Sequence, residues 1–450
     1  MKVLKFGGTS VGSAERMKKV AHLIEGEPKW VVLSAMSGTT NALVEIARAM
    51  NYNKLNDAKQ QVRALEEQYE KVVDELYATA EYKKRAYEEV KNLFDIAWQL
   101  STQKLTPQQN SVPFALLLTY RENKLLSIGE LLSTRLFHLY LLENGVKTCL
   151  LPALEFMRLD VHGEPDNAYI KSKLKQLMDA NPGYDIYLTQ GFICLDSENH
   201  VDNLKRGGSD YTASLIGAAI KADEIQIWTD IDGIHNNDPR FVEGTCPVRS
   251  LHFEEAAELA YFGAKILHPT CIQPAKQYHI PVRLLNTLQP ESEGTLIHDE
   301  SPSGHLKAVA AKDNIISIRI HSGRMLLAYG FLRKVFEIFE RHRTPIDMIT
   351  TSEVGVSLTI DDPTHLDDIV NDLQHFGTVE VEEDMVIICV VGDLSPLNPG
   401  FPSAIVNALN EIPVRMISYG GSAYNLSFLV KSEDKIQTLK SLSSHLFSNK

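Results

Sequence analysis

The chain has 450 residues, 44% hydrophobic and 23% charged, with a formal net charge of -13. That length accommodates two or three ordinary domains, and the composition is that of a folded protein. The acidic balance argues against nucleic acid or an anionic membrane as the main partner, and five cysteines without a C-x-x-C pair suggest neither a zinc site nor a disulfide framework.

Val3–Phe6 reads as a short buried strand that ends in Lys5-Phe6-Gly7-Gly8-Thr9-Ser10. A strand stopping in Gly-Gly lets backbone N–H groups approach an anion, and a helix from about Gly12 would aim its positive end at the same place. Lys5 adds a full charge, while Thr9 and Ser10 either cap the helix or meet a phosphate oxygen. With residues 1–10 already strand-like, no cleavable signal is expected, and no apolar run approaches about 18 residues. A reducing, cytoplasmic setting fits.

Strand-like runs continue at Trp30–Ala35, Lys147–Leu151, Ile186–Gly191, Glu224–Thr229 and Pro281–Leu285, alternating with helical patterns. Continuously apolar runs of this kind predict a mostly parallel sheet covered by helices on both faces, an α/β three-layer sandwich. Residues 54–125 interrupt the rhythm with a charged, helix-favouring stretch, read as helical hairpins beside the sheet. Pro and Gly cluster between Asn286 and Gly304 like a linker.

Beyond it the pattern becomes two smaller units. Residues 315–384 read β-α-β-β-α-β. The second unit reads only β-α-β-β-α over 385–450, and the strand His305–Ala311 supplies the missing edge if the first unit is inserted in the second. That expectation fails if His305–Ala311 pairs with the large sheet.

Further segments carry chemistry. Ser34–Asn41, which includes Thr40, follows a buried strand and opens a helix, where open α/β sheets bind ligands. Gly129-Glu130 reads as a glycine-led helix start whose carboxylate either serves a ligand or meets the helix dipole. Arg206-Gly207-Gly208-Ser209-Asp210 sets a second glycine pair between a guanidinium and a carboxylate; such an arginine can hold a carboxylate bidentately. Trp228-Thr229-Asp230 ends another strand and runs on to Arg240, a combination able to grip a ribose and phosphates. Phe262-Gly263-Ala264-Lys265 places a lysine near a helix end. P-loop and protein-kinase motifs are absent, and the histidines show no metal-ligand spacing.

Together, Lys5-Phe-Gly-Gly-Thr-Ser-Val11, Gly129-Glu130-Leu-Leu-Ser-Thr134, Arg206-Gly-Gly-Ser-Asp-Tyr-Thr212, Trp228-Thr-Asp230 and Phe262-Gly-Ala-Lys265 closely resemble the aspartate kinases, in the same order and over essentially the whole chain. The resemblance implies an amino-acid-kinase sandwich over 1–295. It also implies two ferredoxin-like βαββαβ ACT domains, the first over 315–384 inserted in a second made of 305–314 and 385–450. The implied reaction moves the γ-phosphoryl group of ATP to the side-chain carboxylate of L-aspartate, the first step toward lysine, threonine, methionine and diaminopimelate.

The same resemblance implies roles. Lys5 would neutralise the transferring phosphoryl group and Asp210 orient the site. Thr40, Glu130, Arg206 and Ser209 would bind aspartate. Gly7, Gly8, Ser10, Thr229, Asp230, Arg240 and Lys265 would hold ATP, with Mg²⁺ carried on its phosphates and no protein metal site. In the lysine-sensitive branch, Met325, Phe331, Leu332, Ile346, Asp347 and Ser352 would bind an effector at an ACT-to-ACT homodimer interface, with dimers able to pair into tetramers. Ala328 and Pro345 stand where lysine-inhibited members carry serines, so the effector's identity stays open. The rival readings are a glutamate-type kinase of the same superfamily and a silent amino-acid sensor. Fusion to a homoserine dehydrogenase is not expected, because no dinucleotide-binding segment follows the second small unit.

Overall fold

The computed structural model describes residues 1–103, 113–263, 268–300, 304–323, 325 and 329–447. Lys265 and Ala328, both singled out above, lie outside them. The chain forms two compact units, one of Met1–Gly233 with Leu267–Asp299, the other of Ile234–Ile266 with Glu300–Lys450.

The first unit begins β1 (Lys2–Phe6), α1 (Ala14–Leu23), β2 (Lys29–Leu33), α2 (Thr39–Asn51), α3 (Leu55–Leu76), α4 (Ala80–Thr102) and α5 (Phe114–Glu143). It continues β3 (Thr148–Leu150), α6 (Asn167–Ala180), β4 (Ile186–Gln190), β5 (Ile193–Leu195), β6 (Val201–Asn203), α7 (Gly208–Ile220) and β7 (Ile225–Thr229). The chain then contributes β8 (Ser250–Leu251) and α8 (Phe253–Tyr261) to the second unit before closing the first with α9 (Pro269–Gln277), β9 (Val282–Asn286) and β10 (Thr295–Ile297).

Within the first unit the sheet order is β3-β4-β2-β1-β7-β9-β10. All of these neighbours pair in parallel except β10, which runs antiparallel to β9. Trp30–Leu33 and the whole of β4 are buried, which is why these strands read as unbroken apolar runs. Parallel pairing brings the carboxyl ends of β1, β2, β4 and β7 to one edge, the place where α/β sheets bind ligands.

Helix α5 is, by length and composition, apolar enough to cross a membrane, although no run of its sequence stood out. Its most apolar window is 72% buried inside the unit, where α5 packs on α2 and α4. Core helices of soluble proteins meet the same criterion.

The second unit continues with β11 (Leu306–His321), α10 (Phe331–Arg341), β12 (Ile349–Thr351), β13 (Gly355–Ile360), α11 (Leu366–Gln374), β14 (Thr378–Gly392), α12 (Gly400–Asn407), β15 (Met416–Tyr419), β16 (Asn425–Lys431) and α13 (Lys435–Leu446). Its antiparallel sheet is ordered β12-β13-β11-β14-β16-β15. The strand read as His305–Ala311 is the first half of β11 and pairs with the Ile387–Gly392 end of β14, while Ser317–His321 pairs with Thr378–Glu382.

Two pairs of separate strands are therefore two long ones. The breaks seen in the sequence are irregularities inside them: β11 shifts register between Lys312 and Ile315, and Asn314 and Asp384 take φ of 59° and 57°. One extra residue at a bulge bends a strand without ending it.

Residues 234–263, which the alternation placed with the sandwich, group by their contacts with the second unit. Asn425 donates its amide to Glu258 on α8, and the His252 and Tyr424 rings stack at 5.3 Å. Gly263 follows with φ +117°, and a Cβ there would fall 2.1 Å from the Ala311 carbonyl oxygen, so only glycine fits.

Candidate active site

At the carboxyl edge of the first unit's sheet, a cleft of about 280 Å³ is lined by Lys5, Ser34, Thr40, Glu130, Phe192, Lys205, Gly207, Gly208, Ser209 and Asp210. Its volume suits a ligand of amino-acid size. Five of the residues expected at the site, Lys5, Thr40, Glu130, Ser209 and Asp210, thus meet in one place.

Lys5 leaves the end of β1 with its ammonium 2.6 Å from Asp210 Oδ1, each side chain 11% exposed. Asp210 Oδ1 makes no aligned hydrogen bond. The angles of the pair fall outside hydrogen-bond geometry, and the contact is a close charge pair. Asp210 sits in the first turn of α7, where the helix dipole favours a carboxylate. Gly207, at φ 72°, caps that helix, and a Cβ on it would lie 2.7 Å from His268 Cβ. Gly191 leaves room for Ser209, whose side chain would stand 2.5 Å from any Cβ there.

Glu130 lies in the middle of the 30-residue α5, not at a helix start. The glycine before it serves packing: a Cβ on Gly129 would come within 2.9 Å of Ala35 Cβ and 3.2 Å of Thr39 Cγ2. This notch lets the β2–α2 loop rest on α5. Glu130 Oε1 accepts from the Ala35 amide at 3.2 Å, and Ser133 Oγ donates to the Ser34 carbonyl at 2.7 Å. Glu130 Oε2 is buried without a hydrogen-bond partner. Burial pushes this carboxyl up to about 8, opposed by the Ala35 amide. An orphaned acid at the floor of a cleft is a ready partner for a cationic group.

The β1 turn differs in part from its sequence reading. The Gly7 amide donates to the Trp228 carbonyl at 3.1 Å, so it is engaged by β7 and does not face an anion. Gly8 is needed because a Cβ would sit 2.7 Å from the Ala35 carbonyl oxygen; its own carbonyl accepts from Ser37 N at 3.0 Å. The N-cap of α1 is Ser13, not Thr9 or Ser10. Ser10 is buried, its hydroxyl 2.6 Å from Thr287 Oγ1. Thr287 in turn donates to the Thr229 carbonyl, while Thr229 Oγ1 donates to the exposed Asp230. Ser10, Thr229 and Asp230 thus form a group joined through Thr287, a residue that sequence reasoning missed.

Arg206 is exposed at the rim and does not line the cleft; Lys205 does. Lys205 has φ 59°, a conformation that no local signal announced. Ser34 was legible only as part of its loop, and Phe192 carried no signal. Arg240 belongs to the second unit and pairs with Asp238 at 2.6 Å.

The effector residues also fall in the second unit. Met325 and Ile346 pack on a core containing Phe331, which meets Phe376 edge to face at 6.2 Å. Leu332 and Ser352 are exposed. Asp347 is already paired with Lys312.

The parallel α/β sandwich with a lysine–carboxylate pair at its binding edge lies within residues 1–286, which match the model of the amino acid kinase family, and that match defines its class. Residues 388–446 match an ACT domain. Within that class, the chain belongs to the aspartokinases, ATP-dependent kinases with a carboxylate acceptor. It is 34% identical to the lysine-sensitive aspartokinase 3 of Escherichia coli over 99% of both chains. It is also 34% identical to the chloroplastic aspartokinase 1 of Arabidopsis thaliana, over 99% of this chain and 80% of the relative. The crystal structure of E. coli aspartokinase III with aspartate and ADP, in the R-state, superposes with a TM-score of 0.81 at 33% identity, covering 99% of this chain and 100% of that one. The T-state structure with lysine and aspartate gives 0.76 at 34% identity, covering 99% of each.

Proposed function

We propose that the cleft binds L-aspartate and that its side-chain carboxylate attacks the γ-phosphoryl group of ATP to give 4-phospho-L-aspartate. The observation that carries this reading is the juxtaposition of Lys5–Asp210 with the orphaned Glu130 carboxylate in one amino-acid-sized cleft. The acceptor is ionised at neutral pH and needs no general base, so catalysis rests on alignment and charge. Glu130 takes the ammonium group, Thr40 and Ser209 bond the bound substrate, and Arg206 closes from the rim on the α-carboxylate. Lys5, held by Asp210, meets the charge of the transferring group.

ATP lies along Gly8, Thr229 and Asp230, while Gly7 and Ser10 shape the turn; Arg240 and Lys265 are the further nucleotide-binding residues that the family resemblance implies. Mg²⁺ would travel on the nucleotide phosphates, where it neutralises charge. The exposed Asp230 carboxylate is the hard oxygen donor that suits it.

Residues 315–384 form one ACT domain inserted in another made of 305–314 and 385–450. Their effector is lysine, bound near Met325, Phe331, Leu332, Ile346, Asp347 and Ser352 in a homodimer, and the enzyme works in the cytoplasm at the head of lysine, threonine and methionine synthesis. Effector inhibition requires tighter binding to the less active state. A coupled ADP-release assay tests the reading: aspartate is turned over, glutamate is not, and L-lysine suppresses the rate. Equal turnover of glutamate would move the chain to the rival kinase class. Insensitivity to lysine, threonine and methionine alike would remove the sensor role.

A further inference from the structure

The second unit contains an ammonium pocket that the chain fills itself. Lys312 Nζ lies 2.5 Å from Asp347 Oδ1 and 2.9 Å from Asp361 Oδ2, and 4.6 Å from the centroid of the Tyr261 ring. The Tyr261 hydroxyl donates to the same Asp347 Oδ1 at 2.7 Å. The Asp347 side chain is 1% exposed, and its Oδ2 has no hydrogen-bond partner.

The pocket is held by backbone. Asp347 N donates to the Thr359 carbonyl at 2.9 Å, Thr359 N to the Met348 carbonyl at 3.0 Å, and Met348 N to Thr359 Oγ1 at 3.0 Å. Lys312 enters from the residue where β11 shifts register. Two carboxylates and an aromatic face are the groups that stabilise a desolvated primary ammonium. With one cation against two anions, and one carboxylate oxygen bare, the pocket is under-neutralised.

We propose that Lys312 is a built-in occupant of a primary-ammonium pocket formed by Asp347, Asp361 and Tyr261, and that it sets how strongly this pocket takes an amine from solution. The inference rests on the effector reading only in that Asp347 is there the partner of the effector's amine. A free amine must displace a tethered one, whose effective concentration is on the order of millimolar. Lys312 thereby weakens, and tunes, the response to a cationic effector.

The test uses the full chain with Lys312→Ala, which removes the equivalent of n-propylammonium. Thermal unfolding should show a saturable rise in midpoint with n-propylammonium, absent with n-propanol, absent in wild type, and abolished when Asp347→Asn is added. Equal response in wild type and variant, or none in either, overturns the proposal. If the variant folds only with an amine present, recovery by n-propylammonium but not n-propanol supports it; unfolding that no amine reverses overturns it. L-Lysine is then titrated calorimetrically into both proteins and should bind the variant at least tenfold more tightly. Rescue by n-propylammonium without lysine binding leaves the pocket standing and removes the effector reading. Equal lysine binding to both proteins without amine rescue does the reverse.

Discussion

Replacing Lys5 by alanine is expected to lower kcat by about 10³-fold, or about 4 kcal/mol, with much smaller changes in the KM values for aspartate and ATP. The magnitude follows from what Lys5 does. Its ammonium stands at the end of β1 in a cleft where its side chain is 11% exposed, so its charge is little screened by water. With a carboxylate nucleophile there is no proton transfer for another residue to take over, and stabilising the phosphoryl group is most of the catalytic work. The substitution also leaves Asp210 facing the cleft without its cation. The variant is therefore checked for native circular dichroism, and Lys5→Arg, which restores charge but not shape, should recover only part of the rate. A kcat within tenfold of wild type in folded Lys5→Ala would show that the transferring charge is met elsewhere.

The second large effect belongs to Glu130 and appears as a pH dependence. Burial raises its carboxyl to about 8 in the free protein, whereas a bound ammonium group requires it ionised. Substrate binding should then release a proton below that pH, and the apparent Kd for aspartate should fall about 50-fold between pH 6 and pH 8 before levelling off. Calorimetry in two buffers of different ionisation enthalpy measures the released proton directly. Glu130→Gln should bind aspartate at least 100-fold more weakly at pH 8 and lose the slope.

The same group affects folding with the opposite sign to an ordinary ion-paired acid. Between its unfolded value near 4.5 and about 8, the native state retains a proton that the unfolded chain has lost. Stability of the ligand-free protein should therefore decline as pH rises through that window, and Glu130→Gln should flatten the decline. A flat aspartate Kd in wild type would mean that Glu130 does not meet the ammonium.

The parts of the site legible in the sequence were those whose chemistry is local. Lys5, Asp210, Ser209 and Thr40 each lie within two residues of a glycine, and parallel pairing of β1, β2, β4 and β7 gathers the ends of those strands at one edge. Glu130 was found for a different reason than its sequence setting suggested: Gly129 is a packing notch inside a long helix, visible only once Ala35 and Thr39 lie against it. The engagement of the Gly7 amide depends on Trp228, some 220 residues away, because β1 and β7 are neighbours in space only. Lys205 and Phe192 line the cleft through loop conformation, which side-chain type does not encode. In the second unit, Asn314 and Asp384 read as breaks because a bulge and a turn use the same residue types, and only the pairing of β11 with β14 separates them.

Identification of the phosphorylated product bears most directly on the central assignment. Wild-type protein is incubated with ATP, Mg²⁺, aspartate and hydroxylamine, which converts an acyl phosphate to a stable hydroxamate, and the product is located by mass spectrometry and NMR. The cleft described here predicts the hydroxamate at the side-chain carboxyl of aspartate, none from glutamate, and almost none with Lys5→Ala. ADP formed without any hydroxamate, or a hydroxamate at the α-carboxyl, would contradict it.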